Sequence, residues 1–296
     1  MKREFARLLT EQRNPRSSRI DGLSVGGIVD LINREDATVA AAVRAEQARI
    51  VRAVNLLVAR LKRGGRMYFV GAGTSGRLGV LEAAELPPTF DTPRELAQAI
   101  MAGGPECVWA SKEGAEDDAR DGARQIKVRA QDVVIGIAAS GVTPFVHGAL
   151  AEAKRRGAGR ILVTCNRRGV PKGAADVVIA AEVGPEVITG STRLRAGTAT
   201  KMILNTLTVT TMIRLGKVYE NLMVDLQTRS DKLVARAKRI VALLAGVSEA
   251  EAGKAIAAAG NRAKVAIVML RRKLERGAAE RLLAKHRGML RAALES

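Results

Sequence analysis

Aromatic side chains are nearly missing from this sequence: four Phe, two Tyr and one Trp make up 2% of 296 residues, although 47% of the chain is hydrophobic. The core must therefore be built from Ala, Val, Leu, Ile and Met, and a stacking platform for single-stranded nucleic acid is disfavoured. Histidine and cysteine are as scarce. His147 and His286 are the two histidines, and Cys107 and Cys165 lie 58 positions apart with no CxxC pair, so no zinc site can be assembled and no metal is expected. Long apolar runs are absent too. The stretch from Val133 to Ala151 carries no Asp, Glu, Lys or Arg but is interrupted by Ser140, Gly141, Thr143, Pro144 and His147, which argues against a membrane span. The start, MKREFARLLTEQRNPRSSR, lacks the apolar centre of a signal peptide, so a cytoplasmic, reduced protein is expected.

Positive charge is what the chain has in excess, with a net of +19. Residues 231–296 hold 15 Lys and Arg against 6 Asp and Glu, close to half of that excess. These basic residues alternate with Ala and Leu at helical spacing, which reads as solvated helix faces in preference to a nucleic-acid surface.

The length suits one large domain or two smaller ones. From Asp36, a plausible N-cap, apolar residues recur at three and four spacing up to Gly64-Gly65, predicting one long helix. MYFVG (67–71) reads as a buried strand, as do segments within 95–102, 132–140, 159–166 and 176–183. Helix-compatible stretches lie between them at 75–85, 115–128, 143–156 and 196–215. That alternation predicts a parallel sheet covered on both faces. After residue 224 the pattern becomes short amphipathic helices near 231–245, 248–259, 262–274 and 277–293, a separate all-helical subdomain.

The segment GAGTSG (71–76) matches GxGxxG, with Asp91 twenty positions after Gly71. A dinucleotide site needs its ribose acid at the end of the second strand, whereas Asp91 precedes that strand and follows Pro87-Pro88, read as a helix stop. A phosphate-binding Walker loop fails as well, because Arg77-Leu78 stand where Lys and Ser or Thr are needed. What remains is a strand, a glycine turn and two hydroxyls, Thr74 and Ser75, at a helix start, a site for a compact phosphate monoester. A second loop, ASGVTPF, offers Ser140 and Thr143; a third, TGSTRLRAGT, offers Ser191 and Thr192 and adds Arg193 and Arg195. Any one of these reads equally as an N-cap, while three at the ends of parallel strands favour a phosphate site.

GAGTSGRLGVLEAAELPPTF, EGAEDD, GIAASGVTPFV, TGSTRLRAGTATKMILNTLT and GKVYENLMVDL together closely resemble the N-acetylmuramic acid 6-phosphate etherases of the sugar isomerase (SIS) superfamily. TEQRNPRSSRID, INREDATVAAAV and RAKVAIVML extend the likeness over almost the whole chain. The resemblance implies an α/β, flavodoxin-like SIS three-layer fold with a parallel sheet, and a small C-terminal helical subdomain. The expected divisions are an N-terminal helical segment 1–56, a SIS domain 57–220 and a helical subdomain 221–296. It implies a lyase that splits the D-lactyl ether of N-acetylmuramic acid 6-phosphate, giving N-acetylglucosamine 6-phosphate and D-lactate in cell-wall recycling, with no cofactor. Glu85 in AAELPP takes the acid role and Glu116 in EGAED the base role, with Thr74, Ser75, Ser140, Thr143, Ser191 and Thr192 as sugar-phosphate contacts. Glu82, Glu113, Asp117 and Asp118 read as solvated helix carboxylates. Asn205 is read as orienting a loop or the acetamido group, or as a buried hydrogen-bonding residue, and His286 as a family histidine with a packing or capping role. A homodimer is expected by the same resemblance, with no nucleic acid and no membrane among its partners. A sugar-phosphate sensor would need the phosphate loops without the acid and base pair.

Overall fold

The computed structural model describes residues 8–226 and 230–296; the first seven residues of the N-terminal segment read above for a signal peptide lie outside them. Two compact units divide the chain, one of Met1–Ala84 with Glu95–Thr208 and one of Glu85–Arg94 with Val209–Ser296.

The first unit opens with helices α1 (Val25–Asp36), α2 (Val39–Ala45) and α3 (Gln47–Leu61). One long helix from Asp36 was expected, and the structure corrects this twice. Asp36 ends α1, where the Thr38 hydroxyl donates to the Glu35 carbonyl at 2.7 Å. The second break falls at Glu46, whose buried carboxylate accepts from the Ala180 backbone N–H at 3.0 Å and pairs with Arg167 at 2.7 Å. The second break answers to distant contacts that local periodicity does not contain.

The strands β1 (Met67–Gly71), β2 (Ala97–Met101), β3 (Val133–Ile137), β4 (Gly159–Thr164) and β5 (Val177–Ala180) form one parallel sheet in the order β2-β1-β3-β4-β5. Between them run α4 (Gly73–Phe90), α5 (Ala119–Gln125) and α6 (Pro144–Arg155), and α7 (Arg195–Arg214) follows β5. All of β1, β3 and β4 is buried, as expected of continuous Val/Ile runs in a parallel sheet with both faces covered. Val70, Val134 and Leu162 from one face meet Phe145, Val146 and Leu150 of α6 in a single core. The chain leaves β1 toward β2 on one side and returns as β3 on the other. The crevice at the carboxyl ends of β1 and β3 is the topological switch point, where open α/β sheets bind ligands.

Pro87 and Pro88 do not stop α4, which runs on to Phe90. They withhold N–H donors from the carbonyls of Ala83 and Ala84, yet the Asp91 N–H donates to the Pro87 carbonyl at 3.0 Å. The turn ends where Asp91 enters the left-handed region at φ 48°.

The second unit contains a short hairpin, β6 (Val218–Tyr219) with β7 (Leu222–Met223), which sequence patterning did not anticipate. Its helices are α8 (Asp231–Ala245), α9 (Glu249–Ala258), α10 (Ala263–Arg272), α11 (Arg276–Lys285) and α12 (Leu290–Glu295). The single helix expected over 277–293 is thus two. Their apolar faces close over Ile240, Val241, Ile256, Val265, Ile267 and Leu290. Lys264, on α10, is buried within this unit, and burial lowers its pKa against the pull of Asp225. Its ammonium donates to Asp225 and to the carbonyls of Gly216, at 2.8 Å, and Gly288, at 3.2 Å, so three loops share one cation.

Candidate functional site

The glycines of GAGTSG make the turn from β1 into α4. A Cβ on Gly71 would stand 2.7 Å from the Gly76 nitrogen, one on Gly76 would stand 2.7 Å from the Gly71 carbonyl oxygen, and Gly73 has φ +54°. Strand end and helix start therefore touch backbone to backbone, which places Thr74 and Ser75 in the first turn of α4, where free N–H groups and the helix dipole favour an anion.

These two hydroxyl residues line a cleft of about 320 Å³ in the first unit. Ser140 and Thr143 enter it from the loop after β3, and Thr192 enters from the loop before α7. Thr143 occupies the N-cap position of α6, but its side chain caps nothing, so its hydroxyl is available to the cleft. Gly141, at φ +79°, packs against Asn166, whose side-chain amide donates to the Ser140 carbonyl at 3.0 Å. Asn166 is fully buried and was not singled out from the sequence; its place at the end of the strand segment expected within 159–166 was the available signal.

The third loop differs from expectation. Ser191 is not among the cleft-lining residues, and Arg193 points to solvent. Arg195 is among the largest buried side chains in the unit, at 2% exposure, and pairs with Glu35 at 2.9 Å. The N-terminus of α7 is already occupied: the backbone N–H groups of Arg195 and Ala196 donate to the Glu186 carboxylate at 3.0 and 2.8 Å. Burial pushes the Glu186 carboxyl up, and those two N–H bonds oppose the shift. The arginine that reads as a phosphate ligand is thus a buried structural cation, and this helix end holds a protein carboxylate.

The carboxylates separate in the same way. Glu116, in a short 3-10 turn at Ala115–Asp117, is half-buried and lines the cleft together with the exposed Glu113 and Glu11. Asp118 caps α5 by accepting from the Asp121 N–H at 2.9 Å. Glu82 is no solvated helix carboxylate: it is buried, accepts from the Thr208 hydroxyl and pairs with Lys201 at 3.2 Å. Asn205 is exposed and accepts from the Lys201 ammonium, so it is not a buried residue. Glu85, in the second unit, is exposed and is not among the cleft-lining residues. His286 closes the C-terminus of α11, half-buried, with its Nε2 lacking a partner.

Two cations that were not named as site residues line the cleft, Arg77 and Lys112. Arg77 follows the glycine turn directly, and that adjacency was the signal for it. Among the described residues no group of three His, Cys, Asp or Glu is placed to hold a metal ion, and no helix is long and apolar enough to cross a membrane.

Comparison with known proteins adds three findings. Residues 49–154 match the glucokinase regulatory protein N-terminal SIS domain. The N-acetylmuramic acid 6-phosphate etherase of Microcystis aeruginosa is 49% identical over 98% of this chain and 95% of its own length, and that of Symbiobacterium thermophilum is 52% identical over 90% of each. Among solved structures, the phosphoheptose isomerase of Neisseria gonorrhoeae is 20% identical over 60% of this chain and 97% of that one, with a TM-score of 0.40.

Proposed function

The chain belongs to the N-acetylmuramic acid 6-phosphate etherase family, and from that membership we propose that it splits the D-lactyl ether of N-acetylmuramic acid 6-phosphate into N-acetylglucosamine 6-phosphate and D-lactate. The observation that carries this reading is the cleft, where hydroxyls of three loops gather at the switch point of a SIS sheet and the Glu116 carboxylate stands in the same wall.

The phosphate monoester sits at the start of α4, taking hydrogen bonds from backbone N–H groups and from the hydroxyls of Thr74, Ser75, Ser140, Thr143 and Thr192. In the open-chain sugar the C2 proton is acidified by the adjacent aldehyde. Glu116 removes it, the electron pair forms the C2–C3 double bond, and the C3–O bond breaks. Glu85 gives its proton to the departing lactate oxygen. Water then adds: its hydroxyl bonds to C3 while C2 regains a proton, with the two carboxyls acting in reverse. The pair works when one is ionised and the other protonated at the start of each half-reaction. The roles of Glu85 and Glu116 come from their positions in the family motifs AAELPP and EGAED. Ser191, beside Thr192, completes the third loop in this reading. A cytoplasmic homodimer working in peptidoglycan recycling belongs to the same proposal, and sedimentation equilibrium tests the dimer.

The decisive experiment is incubation of the purified protein with N-acetylmuramic acid 6-phosphate and an enzymatic assay for D-lactate. Release is expected. Folded protein that binds N-acetylglucosamine 6-phosphate and releases no lactate would instead be a sensor.

A further inference from the structure

We propose that Arg77 is a positioning residue that fastens the loop carrying Glu116 to the phosphate-binding turn of α4, so that seating the phosphate and placing the carboxylate are one mechanical event. The part played by Glu116 rests on the etherase reading; the fastening itself rests on geometry alone.

Arg77 stands in the opening turns of α4, just after Thr74 and Ser75, half-buried in the cleft wall. Its side chain turns toward the segment after β2. Nε donates to the Val108 carbonyl at 2.8 Å and a terminal nitrogen donates to the Cys107 carbonyl at 2.9 Å. Both carbonyls belong to a short 3-10 turn at Pro105–Val108. From there the chain runs through Trp109 to the turn that presents Glu116.

This stretch is held by its own turns and by Arg77, not by the sheet. Between β2 and α5 it contains two short 3-10 turns and no strand; its own N–H groups serve the carbonyls of Gly104, Glu106, Lys112 and Gly114, while those of Cys107 and Val108 accept from Arg77. It folds back on Gly103, where a Cβ would lie 2.5 Å from the Cys107 sulfur and 3.2 Å from the Ala115 Cβ. The start of the segment and the turn bearing Glu116 therefore meet over one glycine, and what holds Cys107 also holds Ala115 and its neighbour. The planar fork of a guanidinium satisfies two carbonyls at once; an ammonium is a single point charge and cannot reproduce that fork.

The test compares Arg77→Ala, Arg77→Lys and wild type for D-lactate release, for the Kd of N-acetylglucosamine 6-phosphate and for melting temperature. A catalytic group displaced by about an ångström loses on the order of 100-fold in rate. The expected result is a kcat loss of roughly that size in Arg77→Ala, with KM and Kd within about threefold of wild type. Arg77→Lys should recover little, and millimolar guanidinium added to Arg77→Ala should restore part of kcat but none of that lost in Glu116→Gln. A Kd that rises with kcat unchanged would make Arg77 a direct phosphate ligand and overturn the proposal. A fall in melting temperature with kcat and KM lost together and no guanidinium rescue would reduce it to a structural residue, which also overturns it. Should wild type release no lactate, the etherase reading fails by itself, and amide hydrogen exchange decides the fastening. Faster exchange across residues 105–117 in Arg77→Ala, with 144–155 unchanged, supports it, and unchanged exchange overturns it.

Discussion

Glu116 differs from Asp118 and Asp121 in what the fold leaves it to do. Asp118 is committed to a helix cap and Asp121 to Arg124 at 2.6 Å, while Glu116 faces the cleft. Replacing it by Gln keeps the shape and removes the proposed base, so kcat should fall by about 10² to 10⁴ while N-acetylglucosamine 6-phosphate still binds. Retained turnover would refute the assignment. Thr143→Val removes a hydroxyl that caps no helix, so its cost should appear in phosphate affinity: a hydrogen bond to a charged group contributes about 1.5–3 kcal/mol, roughly 10- to 150-fold in Kd by titration calorimetry. Glu35 carries a different expectation. Its hydrogen bond from Arg16, the largest influence, and its contacts with Asn14 and Arg195 hold its pKa below the ordinary 4.5. A depressed folded-state pKa contributes stability above the unfolded value, and this is lost as pH falls through the folded value. Urea midpoints measured downward from pH 5 should therefore drop more steeply in wild type than in Glu35→Gln.

Among the elements, the strands and most helices were legible because each signal is local. Val/Ile runs buried on both faces and three-four spacing need no knowledge of the rest of the chain. What failed depended on distant partners. The break at Glu46 exists because β5 supplies an N–H to its carboxylate, and the Arg195 that looked like an anion ligand is claimed by Glu35 and Glu186. The hydroxyls in GAGTSG and ASGVTPF were readable because a glycine turn after a strand fixes their location, whereas Arg77 and Asn166 act through backbone carbonyls that no sequence pattern displays. The β1–α4 turn is also the element most sensitive to added volume. Gly76→Ala puts a methyl group 2.7 Å from the Gly71 carbonyl oxygen, a backbone atom that can yield only by moving the strand end. Overpacking of this kind costs about 1–3 kcal/mol. The variant should melt several degrees lower and bind N-acetylglucosamine 6-phosphate at least tenfold more weakly. A normal Kd in a destabilised variant would detach the turn from phosphate binding.

Across the whole molecule, the net charge of +19 belongs to association, since it sets a field and specifies neither fold nor site. A substrate carrying a phosphate monoester is attracted by that field before it reaches the hydroxyl loops. Electrostatic steering raises encounter rates by about ten to a thousandfold at low salt and fades once the screening length drops to a few ångströms. The chain supplies its own reporter. Trp109, the one tryptophan, is 88% exposed and sits between Cys107 and Ser111, both of which line the cleft. In stopped-flow fluorescence, the association rate of N-acetylglucosamine 6-phosphate should fall by about tenfold or more between roughly 0.01 and 0.5 M salt. The dissociation rate should move much less, because the bonds at the start of α4 are short-ranged and partly buried. A dissociation rate carrying most of the salt dependence would mean that Arg77 and Lys112 act as direct phosphate ligands, and would take the role assigned here to the distributed charge.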